Sequence, residues 1–161
     1  MSNFRSGRHV VHALHAHVVF TTKYRRGAIE TDRVADLLKT TMTSVAADMG
    51  AEILACEADG DHMHLLVAYP PQLALSHLVN ALKGVSSRKL RQKDWPEVTS
   101  KLWGKAFWSP SYCVISCGGA PLEIVKSYVE NQNVPGRIRS GAARRAAEKE
   151  KRRIRGAPIS P

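Results

Sequence analysis

The segment 59-DGDHMHLLVAY-69 decides how the rest of the chain is read. Gly60 between two aspartates makes a tight turn, and the residues after it alternate in character. Successive side chains of a strand point to opposite faces, so Met63, Leu65 and Val67 share one side while His62 and His64 share the other. The apolar side needs a core to cover it. On the opposite side, two neighbouring imidazoles can hold a metal ion.

Working outward, AEILACEA before the turn reads as a second strand, paired with the first as a hairpin. Further back, HALHAHVVFTTKYR alternates with β-branched and aromatic residues and predicts a strand over roughly 12–24. Its Leu14, Ala16, Val18 and Phe20 form one face, with His15 and His17 on the other. Between them, Thr31 or Asp32 can cap a helix in which Val34, Leu37, Leu38, Met42, Val45 and Met49 follow helical spacing, and Gly50 ends it. After the proline pair at 70 and 71, Leu75, Leu78, Val79, Leu82 and Val85 mark a second long helix. SYCVIS predicts a fourth strand, and PLEIVKSYVENQ a last helix opened by Pro121.

Strand, helix, strand, strand, helix, strand is the order of an α+β, ferredoxin-like (RRM-like) split β-α-β sandwich, with helices on one face of an antiparallel sheet. Its first and third strands are neighbours in the middle, so His62 and His64 are expected on the helix-free face, open to a large substrate. The 161 residues, 43% of them hydrophobic, suit one domain over 1–136 followed by a basic tail over 137–161.

The net charge of +10 is concentrated in that tail. Residues 137 to 155 hold nine Lys or Arg against Glu148 and Glu150, with few large apolar residues. Such a run reads as a solvated helix or an arm that meets nucleic acid, or as a charged terminus that serves solubility. Cys56, Cys113 and Cys117 are an odd number in a chain without an export signal, so a disulfide framework is not expected; Cys113 and Cys117 could ligate a metal but read more simply as small buried residues beside a strand end. No apolar run approaches the roughly 20 residues of a membrane span, and a cytoplasmic location is expected.

Two histidines complete neither a metal site nor a mechanism. In SYVENQ, Tyr128 and Gln132 stand four apart and project from the same helix face: a nucleophile and a ligand one turn apart. A phenol, with an unperturbed pKa of about 10, attacks phosphate poorly without a positioning group, and a divalent ion supplies one by polarising the phosphodiester. Taken singly, each feature has a plainer reading, since a tyrosine at helical spacing is ordinarily packing.

Together, DGDHMHLLV and SYVENQ resemble the HUH single-tyrosine transposases of small bacterial insertion sequences, the transposase A type. VVFTTKYRR, LKGVSSRKLR and LWGKAFWSPSYCV extend the resemblance over roughly residues 10 to 135. It implies that His62 and His64 bind a divalent metal, magnesium or manganese, with Gln132 as third ligand, and that Tyr128 is the catalytic nucleophile. It further implies cleavage and rejoining of single-stranded DNA at element ends through a 5′-phosphotyrosine intermediate, recognition of subterminal hairpins, and a homodimer. No nucleotide cofactor is implied, and no GxxxxGK[ST] loop occurs. The ligand types suit this chemistry, because imidazoles and an amide are neutral and leave the ion its charge for the phosphate.

Candidate DNA contacts are Tyr24, Arg25 and Arg26 after the first strand, Lys83, Arg88, Lys89 and Arg91 on the second helix, and Arg137 and Arg139 in the tail. His15 and His17 read either as support for the metal pair or as ordinary strand residues. The rival class is a non-cutting, host-adopted DNA- or RNA-binding protein of the same fold. Against an RNA-recognition motif, the exposed sheet face offers histidines where that motif presents aromatics.

Overall fold

The apolar side of the 62–68 strand is the floor of the core. The computed structural model of the chain describes residues 4–102 and 104–118. Its elements in chain order are β1 (Arg5–Gly7), β2 (Val10–His12), β3 (His15–Thr21), a 3-10 turn (Lys23–Arg25), α1 (Asp32–Asp48), β4 (Glu52–Asp59), β5 (His62–Ala68), α2 (Leu75–Lys93), the short α3 (Pro96–Thr99) and β6 (Cys113–Ser116). β3 to β6 form one sheet in the order β4-β5-β3-β6, every pair antiparallel. This is the α+β ferredoxin-like arrangement, with the first and third of its strands side by side in the centre.

Both long helices lie against one face. Ala16, Val18 and Phe20 from β3 and Met63, Leu65 and Val67 from β5 join Val34, Leu38 and Met42 of α1 and Leu78, Val79 and Leu82 of α2 in a single cluster, all at most 1% exposed. Burying each large apolar side chain contributes about 1.5–3 kcal/mol, so this layer carries most of the fold's stability. Trp108 and Phe107 close one end of it, and the Trp108 indole donates to Ser86 Oγ at 2.9 Å in the interior.

Gly50 ends α1 as its composition implies. With φ +75 it lets its own N–H reach Ala47 O and that of Ala51 reach Ala46 O, at 3.0 and 2.9 Å, which satisfies carbonyls the last turn leaves open. Gly60, at φ +40, makes the turn between β4 and β5, where Asp59 pairs with His62. Thr31 stands at the N-cap position of α1, but its hydroxyl does not cap; it reaches across to Glu97 Oε1 at 3.4 Å.

Several expectations are corrected. The strand expected over 12–24 is β3 alone, seven residues long, because residues 5–12 fold back as a separate β1–β2 hairpin and the chain leaves the sheet at Thr22. Leu14 therefore lies outside β3 and is 36% exposed instead of sharing the core face. Beyond Thr22, left-handed Tyr24 and Arg25, at φ 58 and 53, turn the backbone sharply where continued strand was expected. Cys113 is exposed, not buried, since it opens the edge strand β6; all three cysteines are free. The last helix and the boundary between 1–136 and 137–161 lie outside the described residues. Among the described residues no helix is long and apolar enough to cross a membrane.

Candidate metal site on the sheet face

Alternation along β5 turns His62, His64 and Leu66 away from the helices. β3 and β4 flank them, with Thr21 and Asp59 opposite His62 and Val19 and Glu57 opposite His64. The sheet face is less open than expected: His17, His62 and His64 are each only 7–8% exposed. The rings pack against one another. His17 and His64 lie side by side with centroids 5.3 Å apart and planes 20° from parallel, and His62 stands edge-on to His64 at 4.9 Å. Beside them Leu66 and Ala55 form a second small apolar cluster with Leu54 and Cys117.

Each histidine of the pair has its Nδ1 engaged. His62 Nδ1 donates to Asp61 Oδ1 at 2.6 Å. Asp61 is itself gripped by Arg25, whose Nε donates to Oδ2 at 2.8 Å. Burial works against the ionised form of Asp61, but the hydrogen bonds from Arg25 and His62 outweigh it and hold the carboxyl below its ordinary value. An ionised carboxylate only accepts, so in the neutral form of His62 the proton sits on Nδ1 and the Nε2 lone pair is left over. His62 Nε2 is 3.8 Å from Asp59 Oδ2, too far for a hydrogen bond.

His64 Nδ1 lies 3.1 Å from His17 Nε2. His64 Nε2 is buried and, among the described residues, has no hydrogen-bond partner. Burial first, and then the nearby His62 and His17 rings, push the His64 pKa down to about 4, so the imidazole is neutral at physiological pH. An orphaned, neutral imidazole nitrogen beside a second uncommitted one suits a metal ion, which binds the neutral form. The fit is incomplete among the described residues, where no group of three or more His, Cys, Asp or Glu could hold a metal. A third ligand has to come from elsewhere. Tyr128, Gln132, Arg137 and Arg139 lie outside the described residues.

The candidate DNA contacts separate into engaged and open groups. Lys83 donates to the carbonyls of Ser109, Pro110 and Ser111 at 2.5, 3.3 and 3.3 Å, which ties α2 to the loop leading into β6. Its ammonium holds this loop instead of projecting to solvent. Arg91 Nη1 donates to Lys105 O at 3.0 Å, while Arg88, Lys89 and Arg26 are exposed. Tyr24 is 62% exposed with Lys23 Nζ 5.3 Å from its ring centre. Arg25 is the unexpected one, since its partner Asp61 orients a candidate metal ligand. Sequence reasoning took Asp61 only as a turn residue; the signal that could have found it is its place immediately before an HxH pair, where its carboxylate can reach the adjacent ring. The pKa of His15 is lowered by burial and by Arg5 and His12.

Known proteins agree with this architecture. Residues 10–132 match the family described as "Transposase IS200 like". The chain is 36% identical over 129 residues to the ISDra2 transposase TnpA of Deinococcus radiodurans, covering 80% of this chain and 91% of that one. It is 29% identical over 119 residues to the transposase of insertion sequence element IS200 from Salmonella typhimurium, covering 72% and 74%. Among solved structures, a Deinococcus radiodurans transposase superposes with a TM-score of 0.64 at 36% identity, over 80% of this chain and 97% of that one. A REP-associated tyrosine transposase bound to a REP hairpin shares the fold at TM-score 0.54 and 18% identity, over 81% and 69%. With the family matched from residue 10 to 132, the chain belongs to the IS200-like transposases.

Proposed function

We propose that this transposase is of the HUH single-tyrosine type and cuts and rejoins single-stranded DNA with Tyr128 as nucleophile. The observation that carries the reading is the His62–His64 pair on one sheet face, with both Nδ1 atoms engaged and, among the described residues, neither Nε2 in a hydrogen bond. Those two nitrogens and the amide oxygen of Gln132 would hold the ion. Magnesium or manganese bound there would polarise the scissile phosphodiester and keep positions open for its oxygens.

The Tyr128 phenolic oxygen attacks the phosphorus, a P–O bond to the Tyr128 side chain forms, and the bond to the 3′-oxygen breaks. The products are a 5′-phosphotyrosine link and a free 3′-hydroxyl, which attacks such a link in the reverse sense to rejoin strands. One phosphoester replaces another at each step, so no nucleotide is hydrolysed. Neutral ligands support this role, because Asp61 contributes its charge to His62 from behind and does not occupy the face where phosphate would approach.

As substrate we propose single-stranded DNA with hairpin ends; a solved REP-associated tyrosine transposase of the same fold is bound to a REP hairpin. Exposed Tyr24, Arg26, Arg88 and Lys89, with Arg137 and Arg139 of the basic tail, supply groups that meet phosphates and bases. A homodimer is the proposed working unit. The experiment is incubation with labelled single-stranded DNA from the ends of its own locus, with manganese or with chelator, followed by denaturing electrophoresis. An adduct that requires metal and disappears in Tyr128→Phe, with hairpin binding retained, is the expected result. Hairpin binding without any adduct would favour a non-cutting binder.

A further inference from the structure

We propose that His17 is a positioning residue for the metal pair: it accepts the Nδ1 proton of His64 and so fixes the tautomer whose Nε2 keeps its lone pair. The inference rests on the metal-site reading above and assigns a role to a residue outside the HxH motif and outside the tyrosine helix.

A neutral imidazole carries one donor and one acceptor, so the 3.1 Å contact between His17 Nε2 and His64 Nδ1 exists in two versions. In one, His64 donates and its Nε2 remains a ligand. In the other, His17 donates, the His64 proton moves to Nε2, and that nitrogen cannot bind a metal. His62 has no such ambiguity, because its partner is the Asp61 carboxylate. The pair is thus asymmetric, and only His64 depends on a neighbour whose own proton placement must be correct.

The surroundings favour the donating version of His64. Its Nε2 is buried with no partner among the described residues, and a buried N–H with no acceptor is costly. A buried lone pair facing an ion is satisfied by the ion. Geometry holds the two rings in place as well: His17 pairs with Leu66 and His64 with Val19, which makes the histidines diagonal neighbours across two central strands. Their planes meet at 20°, and both rings are nearly enclosed. An outer partner of this kind sets the orientation and basicity of a metal-bound histidine.

The test compares full-length wild type, His17→Leu and His17→Gln. Glutamine presents an amide oxygen that can accept the His64 proton; leucine fills the space without an acceptor. Manganese affinity is measured by electron paramagnetic resonance. The His64 tautomer is read from long-range proton–nitrogen NMR of the metal-free protein, and thermal unfolding serves as the folding check. Wild-type His64 should carry its proton on Nδ1, His17→Leu should bind manganese about 10- to 100-fold more weakly, and His17→Gln should recover most of that loss. A merely structural role would lower the unfolding temperature in both variants without separating them in affinity. Unchanged manganese affinity in folded His17→Leu overturns the proposal and leaves the metal site standing, as does a wild-type His64 protonated on Nε2. A wild type that binds no manganese removes the site and this role together. If His17→Leu does not fold, the wild-type tautomer and His17→Gln decide.

Discussion

The two faces of β5 are built from the same seven residues, yet they obey different rules. Toward the helices, Met63, Leu65 and Val67 are fully buried among other apolar groups, where any side chain of suitable size and hydrophobicity serves. On the other face His62 and His64 are almost as deeply enclosed, but each needs a specified partner at a specified nitrogen. The first face makes the fold and tolerates repacking. The second is held by polar contacts that contribute little net stability and that lose their purpose if a single proton is misplaced. A strand in the middle of the sheet can carry both because its alternation keeps them apart.

This contrast can be broken on either side. The largest effect is expected from Leu65→Ala, which should lose about 2–5 kcal/mol in urea unfolding through the lost burial and the cavity left behind. Adduct formation per folded molecule should be unchanged. Equal loss of both would mean that the faces are not independent.

Acid should act on the histidine face. His64 is held at about 4 in the fold against 6.5 as its ordinary value, so between these pH values the unfolded chain takes up a proton that the folded chain refuses. Stability of the metal-free protein is therefore full above about pH 6.5 and declines as pH falls toward 4, by up to about 3 kcal/mol as an upper bound. Thermal unfolding across that window checks it, and His64→Leu should flatten the decline. A smaller effect is expected from Lys83→Met, which removes three contacts to the loop before β6: roughly 1–2 kcal/mol in stability, measured by the same urea titration. A loss of hairpin affinity with no loss of stability would instead make Lys83 a DNA contact.

The hairpin, the helix periods and the order of elements were legible in the sequence because each is a local pattern. Alternation in HMHLLVA and the Gly60 turn needed no knowledge of distant residues, and they were enough to place His62 and His64 on one face. The β1–β2 hairpin was not read because its strands are three residues each, too short to show a period. Arg25 and Asp61 are 36 residues apart and meet only because Tyr24 and Arg25 adopt left-handed backbone, which non-glycine residues rarely do and composition does not announce. The His17–His64 contact was half legible. Alternation gave the shared face, but the pairing register that makes the rings diagonal neighbours is a property of the assembled sheet.

The most direct measurement of the central claim is manganese binding to the full chain, wild type against the double variant His62→Ala, His64→Ala. The account predicts one ion per chain in the wild type, with imidazole nitrogen couplings in its spectrum, and loss of that binding in a double variant that still folds and still binds hairpin DNA. Manganese held equally well by both proteins, or by neither, would contradict it.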